Sequence, residues 1–318
     1  MECRNKIKIG ISGCLLGEEV RYDGGHRHHS YITGTLGEWF EFRSFCPEVA
    51  IGLGIPRVTI RQQQRADGGL EVVSPKQPGL EVKGELQAYG RKVASSLEDV
   101  DGFILKRGSP SCGMERVKVY HDKGLLHAKG VGVFAAEVMA AHPLLPVEEE
   151  GRLGDPGLRE NFITRVFAHH RLRALLTADV TPKQLIDFHS DHKYLLLAHH
   201  QRGYRDLGRV VAAVGKRELG AVIKEYHQLF METLSHHADP GQHSNVLLHL
   251  FGYLKQQLDE GDKEELLESI ERYRQKGLPL IVPITLLKHH FRHHPHPYIA
   301  RQIYLSPYPD ELLLRNTI

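Results

Sequence analysis

Over the first 150 residues, short apolar runs suited to strands alternate with apolar positions three and four apart, which suit helices. That alternation predicts an α/β domain on a mostly parallel, Rossmann-like sheet. Lys6 to Ser12 (KIKIGIS) reads as a first strand, and Val100 to Lys106 as another, buried one. Between them Leu86, Tyr89, Val93 and Leu97 form one stripe of a helix from about Gly84 to Leu97. A further helix is expected from about Val131 to Ala141, stopping at Pro143. Gly-rich and Pro-rich joints at 52–56, 66–69 and 74–79 read as loops.

Beyond a junction at Gly151 to Gly157 the pattern becomes helical throughout. Asp155-Pro156 and Thr181-Pro182 each place an N-cap residue before a proline at the first helical position, where a missing N–H costs nothing. Amphipathic stretches follow at 182–200, 206–237, 243–258 and 262–276, with Gly277 as the expected C-cap. The expected organisation is an α/β domain over residues 1–150 followed by an all-α domain over 155–318.

Composition agrees with two soluble domains. The chain has 318 residues, 41% hydrophobic and 25% charged, with a mean hydropathy of -0.33, and single cores stop growing near ~250–300 residues. No apolar run approaches the ~20 residues of a membrane span. The opening MECRNKIKIGIS reads as a strand and not as a signal peptide, so a cytoplasmic location and no membrane partner are expected. A net charge of +2 singles out no class of partner. Basic and acidic residues balance at 20 and 20 before residue 155 and at 21 and 19 after it. Histidine divides unevenly, 6 before and 16 after, so the two parts differ in character.

Cys3, Cys14, Cys46 and Cys112 are the only cysteines, and disulfides are improbable in a chain without an export signal. Cys14, Cys46 and Cys112 each follow a strand-compatible run (KIKIGIS, WFEFRSF and GFILKRGSPS). If those runs are parallel strands of one sheet, their C-terminal ends lie together, where open α/β sheets bind ligands. Flanking Gly13, Gly17, Pro47, Pro110 and Gly113 permit close approach of backbone to a cofactor. Three readings stand side by side: small buried hydrophobes, a zinc site, or ligands of an iron–sulfur cluster. Against zinc, the cysteines lack the close ligand pair that such sites normally show.

The segments Gly10-Ile-Ser-Gly-Cys14-Leu-Leu-Gly17, Val20-Arg-Tyr-Asp-Gly24, Cys46-Pro-Glu48, Gly54-Ile-Pro-Arg57 and Gly108-Ser-Pro-Ser-Cys-Gly113 together resemble the thiouracil desulfidase (TudS-like) family. Phe188-His-Ser-Asp-His-Lys193, Leu196-Leu-Ala-His199, Tyr204-Arg-Asp-Leu-Gly208, Leu278-Pro-Leu-Ile-Val-Pro283 and Tyr304-Leu-Ser-Pro-Tyr-Pro309 resemble the YbgA-type helical domain. In tandem, the two resemble the longer RudS-type desulfidases that act on 4-thiouridine in tRNA. The resemblance implies a 4Fe-4S cluster held by Cys14, Cys46 and Cys112, with one iron open to substrate and Glu48 and Ser109 as catalytic side chains. Replacing C=S by C=O is a hydrolysis, with water as co-substrate and Glu48 as the candidate proton shuttle; a surface carboxylate is the rival reading of Glu48, and a turn residue before proline that of Ser109. Cys3 falls in no matched motif and is expected to be a bystander.

Other residues keep two readings. Arg21, Tyr22 and Asp23 form either a substrate-contacting loop or a turn held by a local Arg–Asp pair. Lys106 and Arg107 either offset the charge of a thiolate-bound cluster or are a solvated pair. Gly130-Val-Gly132 is too short for a dinucleotide fingerprint and reads as strand-to-helix packing. In the helical part, Arg165, Arg171, Arg173, Lys193, Arg202, Arg205 and Arg209 are interleaved with His and Tyr. That mixture fits phosphate neutralisation and base stacking, so thiolated tRNA is the expected partner, and no DNA partner is expected. The merely solvated helical face is the rival. Free 2-thiouracil or another small thiolated base is the alternative substrate, and a non-catalytic cluster-bearing RNA regulator the alternative class. His289, His290, His293, His294 and His296 are read as a polar face, and His189 and His192 as packing residues.

Overall fold

The computed structural model describes residues 6–121, 124–177 and 179–318, so Cys3 lies outside the described residues. The chain divides into two compact units, Met1–Gly154 and Asp155–Ile318.

The first unit carries β1 (Ile7–Ser12), β2 (Phe40–Phe45), β3 (Arg61–Gln64), β4 (Leu70–Val73), β5 (Gly102–Leu105), β6 (Val117–His121), β7 (Gly124–Gly130) and β8 (Val147–Glu149). Four of these form a parallel sheet in the order β2-β1-β5-β8. The α/β expectation holds, with the order reversing between β1 and β5, the place where such sheets leave a crevice. β1 alternates as its sequence requires, with Ile7, Ile9 and Ile11 buried. Gly10 faces β5 so closely that a Cβ there would sit 2.4 Å from the Phe103 ring. Helices α1 (Ser30–Thr33), α2 (Pro47–Ala50), α3 (Lys83–Ala94) and α4 (Val133–Ala141) complete the unit. Val93 of α3 and Phe134 and Val138 of α4 share a core with Phe103, Leu105 and Cys112.

A second sheet, β4-β3-β6-β7, has no counterpart in the sequence reading. Its strands are short and polar, as in RQQQ of β3, or exposed along nearly their whole length, as in β7. Only β6, with Val117 and Val119 buried either side of Lys118, keeps a short period-two burial, the signal that betrays a strand. The sheet has a clear task nonetheless. Fully buried Gln62 of β3 donates through Nε2 to Pro110 O (2.9 Å) and Val131 O (2.6 Å), bracing the segment that carries Cys112.

The second unit is helical: α5 (Pro156–Leu176), α6 (Pro182–His199), α7 (Gln201–Ala212), α8 (Leu219–Ser235), α9 (Pro240–Leu254), α10 (Glu260–Arg274), α11 (Ile281–His293) and α12 (Pro297–Ala300). Both proline-marked starts are capped as read: Asp155 accepts from Leu158 N, and Thr181 forms a reciprocal capping box with Gln184. The stretch 206–237 is not one helix. The chain turns at Gly215 (φ +84), and Glu218 restarts it by accepting from Gly220 N and Ala221 N. Nor does Gly277 take the left-handed position after α10, which falls to Lys276 (φ +61). No helix among the described residues is long and apolar enough to cross a membrane.

Candidate active site

Cys14, Cys46 and Cys112 follow the C-terminal ends of β1, β2 and β5, three adjacent parallel strands. All three thiols are free and line one cavity of about 390 Å³. Each is placed by a different local device. Cys14 sits in a one-turn 3-10 helix that Gly17 (φ +95) closes, and its carbonyl accepts from Arg27 N at 2.7 Å. Cys46 occupies the N-cap of α2, ahead of Pro47. Cys112 rides on the 106–113 loop, whose turn is made by Ser109 Oγ accepting from Ser111 N (3.2 Å) and Cys112 N (3.1 Å).

Two carboxylates at the C-terminal end of β8 hold that loop. Glu150 pairs with Lys106 and accepts from Arg107 N at 2.7 Å, while Glu149 accepts from Met114 N at 2.9 Å. The start of α4 lies against the same loop. Gly132 N donates to Gly113 O (2.7 Å), and a Cβ on Gly132 would come within 2.5 Å of Ser111 O. Gly130-Val-Gly132 is thus a close-packing device, as its brevity implied.

Burial pushes all three thiols up, Cys14 to about 11, Cys46 above its ordinary value and Cys112 well above it. Lys106 and Arg21 pull Cys14 back, the Val49 and Glu48 amides pull Cys46 back, and a hydrogen bond from Ser12 does so for Cys112. Cys46 raises Cys14 and Cys112 electrostatically, and Cys14 raises Cys112, so the three share one neighbourhood. A bound cation inverts this logic, because a coordinating thiol is deprotonated outright. Among the described residues, no three Cys, His, Asp or Glu side chains close around a single ion.

Glu48 and Ser109 both line the cavity. Glu48 Oε2 takes two bonds from Arg57, from Nε at 2.9 Å and Nη2 at 2.8 Å, and Oε1 accepts from Ser111 Oγ at 2.8 Å. Arg57 is itself buried, with Nη1 on Gly54 O (3.1 Å) and Nη2 on Val20 O (3.0 Å). The sequence reading included Arg57 and Ser111 in motifs without giving them a role. Their signal was position: a buried cation and a buried hydroxyl flanking the cysteine motifs. Arg21 and Tyr22 line the cavity, with the guanidinium 5.2 Å from the Tyr22 ring, while Asp23 pairs with Arg21 at 3.4 Å. The local Arg–Asp pair of that loop is present, and two of its residues face the cavity. Lys106 and Arg107 also line the cavity.

The seven basic residues singled out in the helical unit do not share one environment. Arg202, Arg205 and Arg209 lie on one exposed face of α7, with Arg202 and Arg209 reaching Asp206. Arg171 is largely buried, donates to Pro307 O, and has its pKa lowered to about 10 by desolvation. Arg165 and Arg173 are half-buried on α5, and Lys193 lies 5.4 Å from the Tyr194 ring and 6.0 Å from Tyr298. His189 and His192 are packing residues: His192 stacks on Phe188 at 4.0 Å, and His189 lies parallel to Tyr204.

A parallel sheet ending in three thiols around one cavity defines a thiol-lined α/β protein. A family model described as 2-thiouracil desulfurase matches residues 9–150, and one described as a protein of unknown function (DUF1722) matches residues 193–309. The Escherichia coli (strain K12) protein YbgA, described as uncharacterized, is 33% identical over 159 residues, 50% of this chain and 94% of the relative. A solved structure of a 4Fe-4S-dependent thiouracil desulfidase, TudS, is 29% identical, covers 47% of this chain and 94% of that chain, and superposes with a TM-score of 0.37. The chain belongs to the family of YbgA, and its first unit matches the 2-thiouracil desulfurase model while its second matches DUF1722.

Proposed function

We propose that this protein converts 4-thiouridine in tRNA to uridine by hydrolytic removal of sulfur, using a 4Fe-4S cluster held by Cys14, Cys46 and Cys112. The observation that carries the reading is three free thiols and one clamped carboxylate meeting in a single cavity at the sheet's C-terminal edge. Soft thiolate donors without a close pair, around a space larger than one ion, fit an iron–sulfur cluster. With three protein ligands, such a cluster keeps one iron open and supplies a thiophilic Lewis acid for a thiocarbonyl sulfur.

Replacing C=S by C=O consumes one water and releases hydrogen sulfide, with no net transfer of electrons. Glu48 is the proton carrier. Its Oε2 is filled by two guanidinium N–H bonds, whereas Oε1 accepts one hydroxyl and keeps a lone pair, so Oε1 takes the proton from water and returns it to the departing sulfur. Arg57 and Ser111 fix that carboxylate, which keeps the base in place without reorganisation. Ser109 has its oxygen engaged by two amides and its O–H available to orient the water or the nucleobase. Apart from Glu48, every charged residue lining the cavity is basic: Arg21, Arg27, Arg57, Lys106 and Arg107. Arg21, Arg57 and Lys106 are paired with Asp23, Glu48 and Glu150, so Arg27 and Arg107 are the cations that favour an anionic substrate there, and the exposed arginines of α7 are further cations in the helical unit.

The test is anaerobic reconstitution followed by mass spectrometry of tRNA nucleosides. Loss of 4-thiouridine with matching gain of uridine is the expected result, along with broad iron–thiolate absorbance near ~400 nm. Sulfide released from free 2-thiouracil but not from tRNA moves the substrate to small thiobases, which the family description also favours. RNA binding without turnover makes the protein a regulator.

A further inference from the structure

The helical unit contains a cavity of about 480 Å³, within the range of small-molecule sites. Its walls come from the first turns of α5 and α9, the end of α10 and the chain's last residues. The floor is polar and buried, with Glu160, Asn161, His243 and Tyr273 each no more than 5% exposed.

Buried polar groups ordinarily find partners within the protein. Glu160, Asn161 and His243 are each held by one polar atom and keep another open, while Tyr273 keeps its hydroxyl open. Glu160 Oε1 accepts from Tyr308 (3.0 Å) and Thr164 (3.1 Å), and Oε2 has no partner among the described residues. Asn161 spends Nδ2 on Leu234 O (3.0 Å) and His236 O (3.3 Å), leaving Oδ1. His243 meets the Tyr304 hydroxyl through Nδ1 at 3.0 Å, leaving Nε2, and the Tyr273 hydroxyl has no described partner. Hydrogen bonds thus hold Glu160, Asn161 and His243 in place, and each of the four side chains keeps one polar atom for a guest.

The charges narrow the guest. Arg315 is buried among Tyr304 and Tyr308, with its guanidinium 5.0 and 5.8 Å from their rings, and acts electrostatically on Glu160. The carboxylate is therefore already offset, and the floor asks for neutral N–H donors and not for a cation. At the rim stand exposed His237 and Lys276, the latter held in the left-handed conformation (φ +61), which non-glycine residues seldom adopt. The rings of His243 and Tyr273, 6.2 Å apart, offer aromatic surface to a planar guest.

The geometry points to a nucleotide-binding site in the helical unit, entered base-first, with N–H donors of the base on Glu160 and Asn161 and phosphate at Lys276 and His237. Guanine, which carries an N–H and an amino group side by side on one edge, answers the acceptor floor most fully, and uracil, with a single N–H there, least. The site is distinct from the cysteine cavity and needs no cofactor.

The test is equilibrium dialysis of the full chain against GMP, AMP, CMP and UMP, with anisotropy of a labelled guanine-containing single-stranded RNA as a second arm. Saturable GMP binding about tenfold tighter than UMP is expected, the difference of roughly one buried hydrogen bond. Tyr273→Phe, which removes only a hydroxyl, and Lys276→Glu, at an exposed position, should each weaken it about tenfold. Cys112→Ser should leave it unchanged, which keeps this site's failure separable from that of the desulfidase reading. Binding of GMP identifies a free nucleotide as the source, and binding of the RNA alone, with the same sensitivity to both variants, identifies a strand. No saturable binding of either probe, binding indifferent to both variants, or UMP bound as tightly as GMP overturns the proposal.

Discussion

The two units bury titratable side chains by the same physics and put them to different use. In the α/β unit, burial pushes three thiols up and leaves them around a cavity. In the helical unit, burial pushes imidazoles down, His189 to about 4, His192 to about 3, and His199, His227 and His243 below the ordinary value. Desolvation favours the neutral form in both cases. The thiols sit where strands end and the backbone is free to open a space. His192 and His199 sit inside helix faces and are used up in packing, with Nδ1 on the Phe188 and His236 carbonyls. A buried titratable group therefore points to chemistry only where the fold also leaves room beside it.

The sharpest way to break that contrast is to remove a thiol. Serine at any one of Cys14, Cys46 or Cys112 is expected to abolish both bound iron and sulfur release, while far-UV circular dichroism, dominated by the helical unit, stays native. Retention of full iron content after all three single replacements would refute the shared centre. Next in size, Glu48→Gln should keep the iron–thiolate absorbance and lower kcat by about 10²–10⁴, the usual worth of a positioned proton carrier. Unchanged turnover in that variant would move the shuttle elsewhere.

Acid should separate the two units. A histidine whose folded pKa is depressed contributes no penalty above the unfolded value near ~6.5, and costs stability as pH falls from there toward the folded value. With His189 and His192 set at about 4 and about 3, the helical unit is expected to lose on the order of a few kcal/mol between pH ~6.5 and ~4. Trp39, the only tryptophan, belongs to the first unit, so its fluorescence should change at lower pH than the helical signal. Coincident transitions would contradict independent responses. Arg57→Lys should cost about 10–100-fold in kcat with little change in KM, because an ammonium cannot place two N–H bonds on Glu48 Oε2 while holding Val20 O and Gly54 O. A rise in KM alone would make Arg57 a binding residue. Smallest of all, Arg205→Ala should weaken tRNA binding a few-fold and reduce its salt slope by about one.

Much of this site was legible because its signals are local. Cys14, Cys46 and Cys112 each end an apolar run, so three strand ends could be inferred from three short segments. Thr181-Pro182 and Asp155-Pro156 announced their helices by cap chemistry alone. The long 206–237 helix failed because its amphipathic period continues across a turn that one glycine and one capping glutamate create. The second sheet failed because its strands other than β6, polar or exposed, have no burial period to read, even though Gln62 from that sheet holds the Cys112 loop. Arg57 stayed without a role since nothing within one segment says that a guanidinium will meet a carboxylate nine residues earlier.

The sequence by itself determined the α/β-then-helical order, the capped helix starts and the cysteines that close three strands, because each depends on spacing and propensity within a few residues. The tertiary structure alone decided that Arg57 and Ser111 grip Glu48, that Glu149 and Glu150 pin the Cys112 loop, and that four buried polar side chains floor a cavity among the helices. Those arrangements join side chains from separate elements. Their energies come from burial and partner geometry, which exist only once the chain has closed around them.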